Sequence, residues 1–264
     1  MGMILLSHND FSPFGVNDTA VARFARYDFN SLLRATYPGT GEGGRDAFGN
    51  PPLGTCTVSV GPPTSGGRLF DLPGDPTFPQ QVFNVGQVLN LSGPAGSVQL
   101  QAPSYRFGSD TNVITPGNYT VDNGTGTQAF GAFKAALTLP PMLTWTNKDS
   151  LTSPSRTEDL TVTWSGGIAD KEVAAIVGIS VNNQFTAGFL CTEKVSAGRF
   201  TVPAWVLASI PKSDIFTDGR QPLPGGLLGV GTAPLTNVGR FTGTGLDFGV
   251  FTYEQTTISV VSYQ

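Results

Sequence analysis

Residues 87–101 read QVLNLSGPAGSVQLQ. Two short runs of strand character flank GPAG, and that joint is turn chemistry, because Gly tolerates positive φ and Pro presets its own. The same style continues outward on both sides. QVFNVG precedes it; YRFGSDTNVITPGNYTVDNGTG and FGAFKAALTLPP follow, with PGN and DNG as further turns. Short strands separated by turns at regular spacing predict a β-sandwich or barrel.

Composition agrees with this reading. The 264 residues include 34 Gly and 20 Pro, and 13% are charged, against about 25% in an average globular protein. Such a chain is no coiled coil, helical bundle or acidic disordered tail. Eighteen Phe, six Tyr and three Trp suffice for a core, so the Gly and Pro read as tight turns. A net charge of -4 supplies no basic field, which predicts no nucleic-acid partner. The longest apolar stretch, EVAAIVGI at 172–179, falls short of the roughly 18–20 residues of a spanning helix. The start MGMILLS lacks the basic flank of a signal peptide, so a leader has been removed or the reading frame is truncated.

Along the chain, TAVARFARYDFNSLLRATY fits both a helical period, with Asn17, Asp18 and Thr19 as caps, and strand alternation; we favour a strand followed by a helical turn. PGTGEGGRDAFGNPP (38–52) and GPPTSGGRLFDLPGDPTFP (61–79) are long loops, with TCTVSV a strand between them. Pro140 and Pro141 close a first unit, residues 1–141, read as a sandwich or jelly roll with long Gly/Pro loops. The second, 142–264, reads as an immunoglobulin-like sandwich. Strict alternation of Leu160, Val162 and Trp164 puts them on one face, with Trp145 and Trp164 as core aromatics. The expected fold class is therefore all-β, two sandwich-like units that can pack as one body.

Cys56 and Cys191 each lie in a run of strand character. One pair allows one connectivity, so a disulfide competes with two separate buried thiols. Neither Cys has a second ligand at metal spacing.

The strings LTWTN, VTWSGG, GFLCTEKVSAGRFTVPAWVLASIP and GLDFGVFTYEQTTISVVSY, with LSGPAGS and TPGNYTV before them, resemble uncharacterised secreted all-β proteins of acidobacterial soil bacteria. The likeness covers the chain from about Cys56 onward and is one of style. It implies export or a cell-surface location, an all-β fold and Cys56 with Cys191 as a matched pair; it brings no activity. The chain departs from that pattern in lacking the usual leader.

Candidate chemistry is sparse. The single histidine, His8, reads as an exposed residue of a frayed start, with Ser7 and Asp10 too close in sequence to complete a triad. GxSxG, GxxxxGK[ST] and a strand–GxGxxG–helix are all absent from the sequence. Carboxylate chemistry remains: Glu42 and Asp46 with Arg45 between them in the first long loop as a ligand-binding cluster, and Asp71 with Asp75, and Asp214 with Asp218, as pairs that could supply two of the ligands calcium needs. Calcium is the one cofactor this chemistry suggests. Trp205 and Tyr105 are the aromatics for a carbohydrate platform, although Trp205 reads better as a plug for the sandwich end. Four sequons, at Asn17, Asn90, Asn118 and Asn123, follow from Asn, Ser and Thr richness alone. The leading expectation is an exported binding or structural β-protein whose partner is a carbohydrate, a small ester or another surface. The alternative is a calcium-assisted hydrolase of esters or phosphoesters.

Overall fold

The structure, a computed structural model, describes residues 1–11, 14–26, 51–61, 81–217 and 222–264. Among the described residues strand accounts for 58% and helix for 5%, so the all-β class holds. Two compact units emerge, each drawing on three stretches of chain. Unit 1 takes Met1–Leu32, Thr77–Met142 and Ala233–Thr256; unit 2 takes Leu33–Pro76, Leu143–Thr232 and Thr257–Gln264.

Among the described residues the strands of unit 1 are β1 (Gly2–Asp10), β2 (Val16–Arg26), β4 (Gln81–Val82), β5 (Val88–Gly93), β6 (Gly96–Gln101), β7 (Arg106–Ser109), β8 (Gly117–Asp122), β9 (Lys134–Leu139), β18 (Gly239–Gly243) and most of β19 (Leu246–Val261). They run in the order β19-β1-β2-β7-β6-β5-β8-β9, with β18 beside β19 and β4 beside β2. Antiparallel pairing sets Gly2, Ile4, Leu6 and His8 of β1 opposite Phe24, Ala22, Ala20 and Asp18 of β2. All eight are buried, so this face of the hairpin is apolar as far as the His8–Asp18 pair. The turn GPAG joins β5 to β6 as its chemistry predicts, Gly93 facing Gly96. Leu89, Leu91, Leu100, Tyr119, Val121, Ala135, Leu137 and Leu139 alternate inward into a core shared with Phe24, Phe133, Phe241 and Phe251. Their neighbours along each strand face outward, as the period of two requires.

Among the described residues unit 2 holds β3 (Thr55–Gly61), β10 (Thr144–Trp145), β11 (Leu160–Ser165), β12 (Glu172–Val181), β13 (Thr186–Lys194), β14 (Arg199–Val202), β15 (Ile215–Thr217), β16 (Pro222–Pro224), most of β17 (Gly226–Pro234) and a short α-helix, α1 (Ala204–Ala208). β3-β13-β12-β17 are successive neighbours in one larger sheet, β10-β11-β14 form a second, and β15-β16 a small ribbon. Val162, Trp164 and Val202 of the second sheet share a core with Ile176, Phe189, Cys191, Leu228 and Val230 of the first, a sandwich-like arrangement. Cys56 and Cys191 are bonded, and they are direct cross-strand partners of β3 and β13. In an immunoglobulin domain the bridge instead spans the two sheets.

Glycines inside strands follow a rule that turn chemistry does not explain. Gly2, Gly178 and Gly249 sit directly opposite Phe24, Phe189 and Phe241. A Cβ added at Gly2 would lie 2.8 Å from the Phe24 ring, and at Gly178 and Gly249 the facing rings are closer still. The bare backbone is the floor on which each ring lies.

Candidate binding site

Of the charged residues singled out from sequence, Glu42, Arg45, Asp46, Asp71, Asp75 and Asp218 lie outside the described residues. Asp214 is described, and it works as a turn holder. Its Oδ2 accepts the Asn183 N–H at 2.8 Å, its N–H donates to Val181 O and its carbonyl accepts the Gly225 N–H. Among the described residues no three His, Cys, Asp or Glu side chains come together as a metal-binding group. No helix among them is long and apolar enough to cross a membrane.

Three sequence expectations are corrected. His8 is not a frayed, exposed residue: it is buried on β1, and its Nδ1–H donates to Asp18 Oδ1 at 2.5 Å. The other oxygen of Asp18 accepts the N–H groups of Val113 and Ile114 at 2.7 and 2.6 Å. Asp18, one of three helix-cap candidates by sequence, instead ends the apolar face of the β1–β2 hairpin and clips the 113–115 segment onto it. Tyr119 holds the same segment, its hydroxyl bonded to the N–H and carbonyl of Thr115 at 2.8 Å. Burial raises the Tyr119 hydroxyl above its ordinary pKa; the bonds to Thr115 oppose this and the nearby Asp18 adds to it.

Trp205 is not a plug. It is 63% exposed, while the next two residues of α1, Val206 and Leu207, are fully buried and take that part. Tyr105 is not a platform. It is 2% exposed in the unit 1 core, where its hydroxyl accepts the Val85 N–H at 3.0 Å and bonds to the carbonyl of Gly86 and the side chain of Asn84.

Ser7 precedes His8 on the strand, so it faces the opposite side and cannot serve His8 as a nucleophile. Its hydroxyl donates to Glu254 Oε1 at 2.6 Å. Burial raises the Glu254 carboxyl above its ordinary value of 4.5, and the Ser7 bond opposes part of that rise. A carboxyl raised in the fold binds its proton more tightly there than in the unfolded chain. Stability is therefore full below the unfolded pKa and declines as pH rises through the folded one. Glu254→Gln keeps an acceptor for Ser7 and removes the charge. It should raise the melting temperature at pH 8 and leave it nearly unchanged at pH 4; an equal shift at both pH values would refute the assignment.

The outward face of β6-β5-β8-β9 is a continuous polar ladder. Gln99, Asn90, Asp122 and Lys134 stand in one cross-strand row, Ser97, Ser92, Thr120 and Ala136 in the next, and Asn118 with Thr138 beyond. Gln101 donates to Gln99 at 3.5 Å, Gln99 to Asn90 at 3.3 Å, and Asn90 to Asp122 at 3.1 Å, while Ser92 and Ser97 share a bond of 2.8 Å. At the β9 side this face runs into a groove of about 270 Å³ lined by Asn118, Thr120, Ala136, Thr138, Asn237 and Val238 among others, none of them charged. Pockets for small molecules start at about 300 Å³, so the groove suits one small unit.

Thr138 orders the groove. Its hydroxyl donates to Asn118 Oδ1 at 2.8 Å, and its carbonyl accepts from Asn237 Nδ2 at 3.1 Å. The second Nδ2 hydrogen of Asn237 goes to the Tyr253 hydroxyl at 3.3 Å. Gly239 lets β18 approach: a Cβ there would collide with the Ala136 carbonyl of β9. Sequence reasoning misses the groove because residues 118–138 meet 237–239 only through the sheet. The one local signal is the run of Asn and Thr at alternate positions, which reads as sequons. Of these, Asn123 is buried and saturated, bonding Val85 O, Gly131 O and the Phe133 N–H.

No protein-family model matches the chain, and no curated protein matches it either.

Proposed function

We propose that the protein acts outside the reducing cytoplasm, exported or at the cell surface, as a binding module. Its second unit is stapled by a disulfide, and its first presents the polar sheet face to a ligand. The observation that carries this is the Cys56–Cys191 bridge. Disulfides form and persist in oxidising compartments and are rare in the cytosol. The likeness of GFLCTEK and its neighbours to exported acidobacterial proteins points the same way. The bonded chain Gln99–Asn90–Asp122 along β6, β5 and β8, with the separate Asn118–Thr138 pair between β8 and β9, is already ordered, so a ligand meets it at little entropic cost.

The test is a thiol count on protein taken from its native cells, alkylated in denaturant without reductant, together with cell fractionation. We expect no labelled cysteine and recovery outside the cytoplasm. Two labelled cysteines per chain, or a cytoplasmic pool alone, would overturn the reading.

A further inference from the structure

We propose that the groove beside Thr138 is a subsite for one neutral sugar ring of a glycan. This rests on the binding-module reading and names its ligand class. The lining side chains carry no charge, which gives a phosphate, a sulfate or a metal ion nothing to pair with. Besides the Thr120 hydroxyl, the groove offers one amide donor and one amide acceptor, each fixed by Thr138. Asn118 has its carbonyl oxygen committed to the Thr138 hydroxyl, which leaves its amide NH₂ to donate. Asn237 has both amide hydrogens committed, to Thr138 O and the Tyr253 hydroxyl, which leaves its carbonyl oxygen to accept.

A ligand that fills such a site must accept at one point and donate at another without charge. Neighbouring hydroxyls on a sugar ring do both, since each hydroxyl carries one donor and two acceptor lone pairs. Ala136, Val238 and Gly239 supply the apolar surface that the C–H face of a pyranose covers. The site is a groove and not an enclosed cavity, so further rings can continue along the ladder of Thr120, Ser92 and Asn90.

The experiment uses the full chain with hexamers of neutral sugars (cello-, manno-, xylo- and malto-oligosaccharides) and with oligogalacturonate as the acidic arm, by calorimetry. NMR of the Asn side-chain amides runs alongside. We expect at least one neutral hexamer to bind with millimolar or better affinity and to move the Asn118 and Asn237 amide signals, with oligogalacturonate no tighter. Asn237→Ala and Thr138→Val, the second conserving volume, should each weaken binding at least tenfold, whereas Trp205→Ala should leave it unchanged. Should a variant fail to fold, the amide shifts of the unaltered protein decide. Absence of binding to every neutral hexamer overturns the subsite, as does binding that survives unweakened in folded Asn237→Ala and Thr138→Val, whatever Trp205→Ala does. Either result leaves the disulfide and location test of the wider reading standing separately.

Discussion

Reducing the Cys56–Cys191 bridge is expected to lower the unfolding free energy by about 4–5 kcal/mol, the chain-entropy figure for a closed loop of more than 100 residues. The two cysteines are 135 positions apart in sequence yet direct partners in the β3–β13 register. The folded sheet therefore brings them together anyway, and the effect falls on the unfolded chain, which gains freedom once the loop opens. β3 ends the strand order of its sheet, with β13 as its partner among the described strands, so it should be the first element to separate. Urea melts with and without reductant give the size of the effect, and hydrogen exchange on residues 55–61 gives its location. Because Cys191 is fully buried in the unit 2 core, reduction is a cleaner probe than replacement, which would also leave a cavity. A loss under about 1 kcal/mol would show that the unfolded chain keeps these segments together without the bond.

Trp164→Ala should cost about 3–5 kcal/mol, the range for deleting a buried aromatic. Trp164 is 4% exposed and stands opposite Trp145 in the β10–β11 register. Its indole N–H donates to Val195 O at 2.8 Å. Truncation removes the ring from the core and leaves that carbonyl without its donor, so cavity and polar penalties add. Trp205→Ala is the matched control: the same change on an exposed ring should stay within about 0.5 kcal/mol. If the two variants melt alike, the inward face of β11 has been wrongly assigned.

Alternation makes Trp164 legible from local sequence alone, because Leu160, Val162 and Trp164 share a face whatever they pack against. The strands and turns from 87 to 139 are legible for the same local reason, as is a strand through Val21 and Phe24. The Cys pair is legible as the single connectivity two cysteines permit. His8 is not. Its burial depends on pairing with Asp18, and SHND on its own looks like a chain end. Trp205 misleads because a Trp beside Val206 and Leu207 suggests one apolar face, while a short helix turns each residue by about 100° and leaves the ring outside. The groove is beyond reach, since it is assembled across roughly a hundred residues by sheet order, which no local periodicity encodes. Glycine reads locally as turn chemistry alone, and its second use in this chain emerges only with register.

That second use ties positions together in descent. At Gly178 any added carbon meets the Phe189 ring, and the Tyr263 hydroxyl lies 2.6 Å from the same point. A larger residue at 178 is tolerable only once the ring at 189 has been exchanged for a smaller side chain. The reverse exchange leaves a strip of uncovered backbone. Gly249 with Phe241 and Gly2 with Phe24 are bound by the same condition. In any set of related chains these three couples should therefore change as couples, small facing large in one lineage and medium facing medium in another. Their covariation would reveal the strand register to a reader who had only the sequences.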